Sequence, residues 1–287
     1  MSHLMQKTIN APIGCFGVGI HSGKNVKMTL RPAVADSGII FHRTDIGGVN
    51  GIVKADFRNV VDTNLGTTIA NEFGTKISTI EHLMAAIWGC EIDNLIIELN
   101  GSEVPIMDGS SEPFVFLLEC AGRTILNKNK KMIEIMQDVT VTDGDKEVTL
   151  SKANSFEVDL EIDFNHKQIR KQNYHFDLDK KSFKTDICRA RTFGFKHEID
   201  YLHKMGLAKG GSLDNAIVID DEGVVNKEGL RYNDEFVRHK TLDLIGDVYL
   251  AGATILGKFK AKKSGHGINN KILHQIFNDP NCYRVVA

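Results

Sequence analysis

The sequence contains few cysteines, and they form no pattern that binds a metal or builds a disulfide framework. The five cysteines of the 287-residue chain are odd in number and widely scattered. No two of them form a C-x-x-C pair, so neither a disulfide framework nor a cysteine zinc knuckle is indicated. Reduced thiols are typical of a cytoplasmic protein, and we expect that location here.

The chain also lacks an excess of one charge and any long apolar run. Its 35 Lys and Arg nearly balance its 37 Asp and Glu, so no bulk attraction to nucleic acid or to an anionic membrane is expected. No apolar run approaches the roughly 18 residues of a transmembrane helix. The start, Met1–Met5, lacks the basic and apolar regions of a signal peptide. We expect no nucleic-acid partner and no stable membrane insertion.

What is present is the composition of a folded protein, with 42% hydrophobic and 25% charged residues. Short β-rich segments broken by glycine, such as Val26–Leu30, open the first half. Apolar residues at helical spacing then predict a helix near Ile80–Trp88. A buried strand is predicted at Asn94–Leu99, and a second helix over about Ser111–Gly122.

The second half of the chain repeats this order of strands and late helices. Apolar and acidic residues alternate through Phe156–Asp163, and this period of two predicts a half-exposed strand. A long helix is predicted over about Asp234–Ala251, and a shorter one after Gly267. The polar run Asn127–Lys131 between the halves is interpreted as a linker. The pattern predicts an α+β fold.

The predicted long helix contains the most informative group of polar residues. His239, Asp243 and Asp247 follow each other at intervals of four, so all three project from one face. An imidazole and a carboxylate one turn apart can chelate zinc. The spacing alone leaves open a second reading, in which these residues form a solvated stripe on a surface helix.

A second candidate lies at the start of the first predicted helix. Ser78 and Glu81 have the spacing of a capping box, which would give Glu81 a structural role. His82 follows beside the apolar stripe, where it is either a histidine at the edge of the core or a metal ligand. No H-E-x-x-H sequence occurs, which excludes the ordinary metalloprotease helix.

The third candidate is His266, which lies between Gly265 and Gly267. The two glycines let the backbone approach a ligand closely and leave the imidazole uncrowded. A histidine in such a turn either has no chemical role or acts as an acid-base catalyst. Asp247 could hydrogen-bond its other ring nitrogen and keep the ring protonated.

Together these segments resemble one family, the UDP-3-O-acyl-N-acetylglucosamine deacetylases, which are zinc enzymes at the committed step of lipid A synthesis in Gram-negative bacteria. The matching segments run through nearly the whole chain: Gly17–Gly23, Arg31–Ala33, Glu81–Leu83, Val104–Ser110, Arg189–Phe195, Phe236–Lys240 and Ser264–His266.

The resemblance implies a fold of two β-α-α-β domains, each a two-layer sandwich, packed through their helix layers. The domains would span residues 1–127 and 128–287. A small βαβ-type insertion at about 193–220 would form a passage for the acyl chain of the substrate. Its expected lining residues are Ile199, Ala216 and Val218.

The resemblance also implies a metal site. His82, His239 and Asp243 match the zinc ligands of the family, and three protein ligands leave the fourth position open for catalysis. Zn²⁺ is the expected cofactor, although Fe²⁺ accepts the same mixed ligands. Glu81 matches the general base, and we expect this chemical role to prevail over helix capping.

Further roles follow from the same resemblance. His266, protonated and paired with Asp247, would stabilise the oxyanion and protonate the leaving amine. Thr192 would add a hydroxyl contact to the tetrahedral intermediate. Among substrate contacts, Lys240 would meet a phosphate as a point charge.

Two aromatic residues complete the expected substrate contacts. Phe164 resembles the ring that stacks on uracil, and Phe193 would face the sugar. The chain departs from the family at Gly66, where many members have a cysteine near the active site. Loss of that thiol should not stop hydrolysis.

Two other functions are compatible with these patterns. One is a non-catalytic α+β module that binds nucleotide or RNA, but the near-neutral charge argues against it. The other is a zinc amidase that acts on another nucleotide sugar. An amidase for small polar substrates would not need an acyl passage. We expect a small-molecule substrate and a monomer, because two domains would close on each other.

Overall fold

The computed structural model describes residues 4–167 and 169–287, so most of the prediction for Met1–Met5 lies outside the described residues. Strands and helices occur in both halves of the chain, which confirms the predicted α+β class. The α-helices are α1 (Glu81–Gly89), α2 (Glu112–Ala121), α3 (Phe183–Asp186), α4 (Lys196–Lys204), α5 (Glu235–Val248) and α6 (His266–Phe277).

The strands of the first half are β1 (Met5–Ile9), β2 (Ile13–Val18), β3 (Asn25–Pro32), β4 (Ile39–Arg43), β5 (Ile52–Lys54), β6 (Val60–Asp62), β7 (Thr68–Ala70), β8 (Lys76–Ile77), β9 (Leu95–Leu99) and β10 (Arg123–Asn129). Those of the second half are β11 (Met132–Ile135), β12 (Val139–Asp143), β13 (Lys146–Lys152), β14 (Phe156–Asp163), β15 (Lys171–Asp177), β16 (Phe193–Phe195), β17 (Ile217–Asp220), β18 (Gly223–Val224), β19 (Thr254–Lys262) and β20 (Tyr283–Val286).

A five-stranded sheet with the order β2-β3-β9-β4-β5 forms the centre of the first half. The predicted buried strand is its middle strand β9, which pairs antiparallel with β3 and parallel with β4. Leu95, Ile97 and Leu99 of this strand are fully buried. The helix α2 packs near β2, and α1 packs against α2.

A seven-stranded sheet forms the centre of the second half. Its strand β19 pairs antiparallel with β13 and parallel with β11 and β14. The predicted alternation along β14 is confirmed, since its apolar residues are buried and its acidic residues are more exposed. Side chains that alternate between two faces are expected wherever one face covers a core. The helix α5 packs against β14 and β15, and α6 packs against β12 and β13.

A small three-stranded sheet follows α3 in the chain. The strands β16 and β17 run parallel and are joined through α4, so a βαβ unit lies in the region predicted for the insertion. The strand β18 then pairs antiparallel with β17. Within the described residues, no helix is long and apolar enough to cross a membrane.

Three local predictions differ from the structure. The polar run Asn127–Lys131 was interpreted as a linker, but its first three residues belong to β10, which pairs with β1. The shorter helix begins at His266 itself, one residue before Gly267. The capping box is wrong, because Glu81 is the first helical residue and the hydroxyl of Ser78 accepts a hydrogen bond from Thr68 instead.

The two halves meet where α1 and α5 pack against each other. Gly246 of α5 lies against the main chain of Glu81, so that a Cβ atom at position 246 would be 2.0 Å from the Glu81 carbonyl oxygen. Only glycine allows two backbones to approach so closely. This contact sets how near α5 lies to the first turn of α1.

We predict that Gly246→Ala pushes α1 and α5 apart and lowers the free energy of unfolding by about 1–3 kcal/mol. This net decrease is expected because the cost of the steric clash should exceed the roughly 1 kcal/mol that alanine gains over glycine in a helix. Thermal or denaturant unfolding measures it. Gly194→Ala, in β16, is the control for the steric effect alone, since a Cβ there meets no atom within 4 Å. Equal stability of both variants would contradict the argument.

Candidate metal centre and active site

Three buried side chains from α1 and α5 point at one another. His82 comes from the first turn of α1, and His239 and Asp243 lie one turn apart on α5. They are 4%, 2% and 3% exposed. One potential ligand atom from each lies within 4.8 Å of the other two. The predicted set of metal ligands is therefore brought together.

The ring of His239 is oriented by a hydrogen bond on its far side. Its Nδ1 lies 3.0 Å from the Ala190 carbonyl oxygen, which can only accept, so Nδ1 donates. The lone pair is then on Nε2, which faces Asp243. Burial lowers the pKa of His239 to about 3. The ring is thus neutral, which is the form that binds a metal.

The carboxylate of Asp243 is held by Lys240, whose Nζ donates to Oδ2 at 2.8 Å. Burial alone would raise the pKa of Asp243, but the ammonium group of Lys240 holds it well below its usual range. The other oxygen, Oδ1, faces the two imidazoles, at 3.5 Å from His82 Nε2 and 3.3 Å from His239 Nε2.

These residues fit a zinc ion. Among the described residues, Asp243 Oδ1 is buried without a hydrogen-bond partner. A buried charged oxygen left unpaired is costly. Tetrahedral zinc with bonds of about 2.0–2.1 Å would hold its ligand atoms roughly 3.3–3.4 Å apart, close to the 3.3 and 3.5 Å separations of Asp243 Oδ1 from the histidine nitrogens.

Glu81 lies beside this group and is itself buried. Its Oε2 accepts the backbone N–H of Thr67 at 2.8 Å, and it makes no capping contact. Burial raises the pKa of the Glu81 carboxyl, while the nearby His266 and His82 act in the opposite direction. A carboxylate with a raised pKa is suited to accept a proton near neutral pH.

His266 and Asp247 form the predicted pair. The ring Nδ1 of His266 lies 2.9 Å from Asp247 Oδ2. Burial opposes the charged ring, but the charge and hydrogen bond of Asp247 raise the pKa of His266 to about 9. The Asp247 carboxylate also accepts Asn269 Nδ2 at 2.9 Å and the Thr67 hydroxyl at 2.6 Å.

All these groups lie at or beside a cavity of about 620 Å³. Of the residues singled out from the sequence, eleven line it: Glu81, His82, Thr192, Phe193, Ile199, Ala216, Val218, His239, Lys240, Asp243 and His266. Asp247 lies behind His266. Phe164 lines a neighbouring cavity of about 340 Å³ together with Lys146, Lys240 and Lys263.

The structure adds residues to the site that sequence reasoning missed. Thr67 contacts both Glu81 and Asp247, but its hydroxyl partner is 180 residues away, so no local spacing reveals it. Ile20 and His21, from the turn between β2 and β3, line the cavity. The segment Gly17–Gly23 resembles the family, but its closeness to the second half of the chain cannot be read from the sequence.

Comparisons with known proteins agree with the resemblance seen in the sequence. The family model described as UDP-3-O-acyl N-acetylglycosamine deacetylase matches residues 6–278. The UDP-3-O-acyl-N-acetylglucosamine deacetylase of Teredinibacter turnerae is 48% identical over 99% of this chain and 94% of its own length. That of Pasteurella multocida is 50% identical over 99% of this chain and 93% of its own. A Haemophilus influenzae enzyme of the same name is 48% identical, with the same coverage.

We predict that the metal-free protein binds one zinc ion per chain and is stabilised by it. At a free zinc concentration of roughly 100 times Kd, the gain in unfolding free energy should be about 2.7 kcal/mol. His239→Ala should abolish the tight site, while the exposed His197 replaced by alanine should leave it intact. Calorimetry and thermal unfolding measure both, and unchanged zinc affinity in His239→Ala would rule out the site.

Proposed function

Because the chain belongs to the UDP-3-O-acyl-N-acetylglucosamine deacetylase family, we propose a specific chemistry for its site. The family and the names of the relatives make the chain a hydrolytic amidase of lipid A biosynthesis. In our proposal it removes the N-acetyl group of UDP-3-O-acyl-N-acetylglucosamine as acetate. The metal is Zn²⁺, with Fe²⁺ as the alternative, and its ligands are His82, His239 and Asp243.

The observation that carries this proposal is the buried His-His-Asp group with Glu81 and His266 beside it in one cavity. When bound, the metal supplies Lewis-acid chemistry that polarises the amide carbonyl and favours attack by water at neutral pH. The protein must then supply a base, an acid and a site for the oxyanion.

Glu81 is the proposed general base. It precedes the ligand His82, it lines the cavity, and its carboxylate makes no ion pair that would compete for its charge among the described residues. Within the described parts of the chain, no hydrogen bond to Oε1 is found, whereas the Thr67 N–H holds Oε2. This oxygen is therefore placed to take a proton from the attacking water.

His266 is the proposed acid. Asp247 holds the ring by Nδ1 and keeps it charged at neutral pH, which leaves Nε2–H as a donor. A cationic donor beside the reacting amide stabilises the oxyanion and can protonate the leaving amine. Thr192 is fixed at the cavity wall because its N–H donates to Gly109 and its carbonyl accepts from Ile217. Its hydroxyl is the proposed second contact to the oxyanion.

The remaining substrate contacts follow from the shape and charge of the two cavities. Ile199, Ala216 and Val218 give one wall of the larger cavity an apolar surface, suited to an acyl chain. Phe193 faces the site, with its ring centroid 6.2 Å from that of His239 and 5.8 Å from Lys240 Nζ.

In the smaller cavity Phe164 lies beside Lys146 and Lys240, while Lys263 is paired with two carboxylates. We propose this cavity for the uridine diphosphate. An aromatic ring offers a stacking surface for a base, and the ammonium groups attract phosphate. In this proposal Phe164 stacks on uracil and Lys240 contacts a phosphate.

We also propose that the enzyme acts in the cytoplasm and as a monomer. All five cysteines are free thiols, which agrees with a reducing compartment. Both halves of one chain supply the ligand group, so catalysis requires no second copy.

The direct test is acetate release from UDP-3-O-acyl-N-acetylglucosamine. We predict activity that disappears on chelation, returns with one equivalent of zinc, and falls by about 10²- to 10⁴-fold in Glu81→Gln. That variant should remain folded and bind zinc as tightly as the wild type. No acetate from zinc-loaded protein, across several acyl lengths, would refute the proposed reaction. Normal turnover in Glu81→Gln would refute only the assigned base.

The pH dependence provides a separate prediction. Since the pKa of His266 is raised to about 9, the ring stays charged at lower pH, and kcat/KM should fall as pH rises above about 9. Asp247→Asn removes the cause of the raised pKa and should move this basic limb to lower pH. A pH profile of kcat/KM, with circular dichroism to verify folding, measures the effect. A limb that stays in place in Asp247→Asn would exclude His266 as its origin.

A further inference from the structure

Thr67 lies between the two groups to which the proposed function assigns proton transfer. It is 1% exposed and immediately precedes β7. Its backbone N–H donates to Glu81 Oε2 at 2.8 Å, and its hydroxyl donates to Asp247 Oδ1 at 2.6 Å. One residue therefore touches both the proposed base and the carboxylate that holds the proposed acid.

The Thr67 hydroxyl holds one of the two oxygens of the Asp247 carboxylate. Oδ2 already receives His266 Nδ1 and Asn269 Nδ2, each at 2.9 Å, while Oδ1 receives the Thr67 hydroxyl. A separation of 2.6 Å is typical of a strong O–H···O⁻ hydrogen bond. Without it, a buried anionic oxygen would lose its donor, and the carboxylate would be free to rotate toward another one.

The main chain around Thr67 restrains Glu81 from the other side. A Cβ atom at position 66 would lie 2.9 Å from Glu81 Oε1, so Gly66 allows the loop before β7 to pass directly beside the carboxylate. The carbonyl of Thr67 also accepts the N–H of Ile80 at 3.3 Å, just before α1 begins. Thr67 is thus bonded to the start of α1 through its backbone and to α5 through its side chain.

We propose that Thr67 is a positioning residue that fixes Glu81 relative to the Asp247–His266 pair. Resting on the proposed function, this inference concerns geometry: the base and the acid must reach the same amide at the same time. Small errors in such positioning cost large factors in rate. In this proposal the hydroxyl only orients the Asp247 carboxylate, and it touches neither the substrate nor the metal ligands.

The test is a matched pair of substitutions. Thr67→Val removes the hydroxyl but preserves the shape and the backbone N–H, while Thr67→Ser preserves the hydroxyl. We expect Thr67→Val to lower kcat by about 10- to 100-fold with KM changed less than about threefold. Thr67→Ser should restore kcat to within about threefold of the wild type. Thr68→Val is the control, because the Thr68 hydroxyl bonds Ser78 rather than Asp247, and its kcat should not change.

A double-mutant cycle separates positioning from general destabilisation. If the hydroxyl acts through Asp247, Thr67→Val should have little further effect on kcat in an Asp247→Asn background. Zinc stoichiometry and thermal unfolding are measured for every variant, and Thr67→Ala replaces Thr67→Val if valine folds poorly. Wild-type kcat in the folded hydroxyl-free variant would overturn the proposal, as would an equal loss in Thr67→Ser. A wild type that releases no acetate would instead refute the proposed function.

Discussion

The close contact between α1 and α5 is the constraint on which the rest of the site depends. His82 belongs to one helix, and His239 and Asp243 belong to the other, so their separation is set by the distance between the helix axes. Gly246 permits that distance because a side chain there would meet the main chain of Glu81. The glycine is costly for helix stability in isolation, and the proposed metal site gives a reason for a glycine at this position.

Charge balance explains why the site suits a divalent cation. Three buried carboxylates, those of Glu81, Asp243 and Asp247, lie close together. Among the described residues, Lys240 donates to Asp243, and His266, whose pKa is raised to about 9, lies against Asp247. Isolated charges are strongly disfavoured in a low-dielectric interior, so burial raises the pKa of Glu81. A bound cation would relieve this excess of negative charge and favour the ionised base.

Local patterns in the sequence predicted the elements that carry the site but not the way they meet. The interval of four between His239 and Asp243 follows from helix geometry, and α5 confirmed it. The capping box failed because the carboxylate of Glu81 found a tertiary partner in Thr67 that a motif of four residues cannot reveal. The polar run that begins at Asn127 starts inside β10 for the same reason, since polar residues form a strand when a partner strand is available. The resemblance to a family supplied the predicted ligand set, and spacing alone would have left the role of His82 ambiguous.

The same device of close backbone contact recurs at the proposed acyl passage, now between a turn of the first half and the insertion. A Cβ at Gly210 would lie 2.3 Å from the Gly19 carbonyl oxygen, and the Gly210 N–H donates to Ile20. The turn is held from behind by the buried Glu103, whose carboxylate accepts the N–H groups of His21 and Ser22. Because Ile20 and His21 line the cavity, its wall, like the metal site, is complete only when both halves are in place. An error in the docking of the two halves would therefore disturb substrate binding and metal binding together.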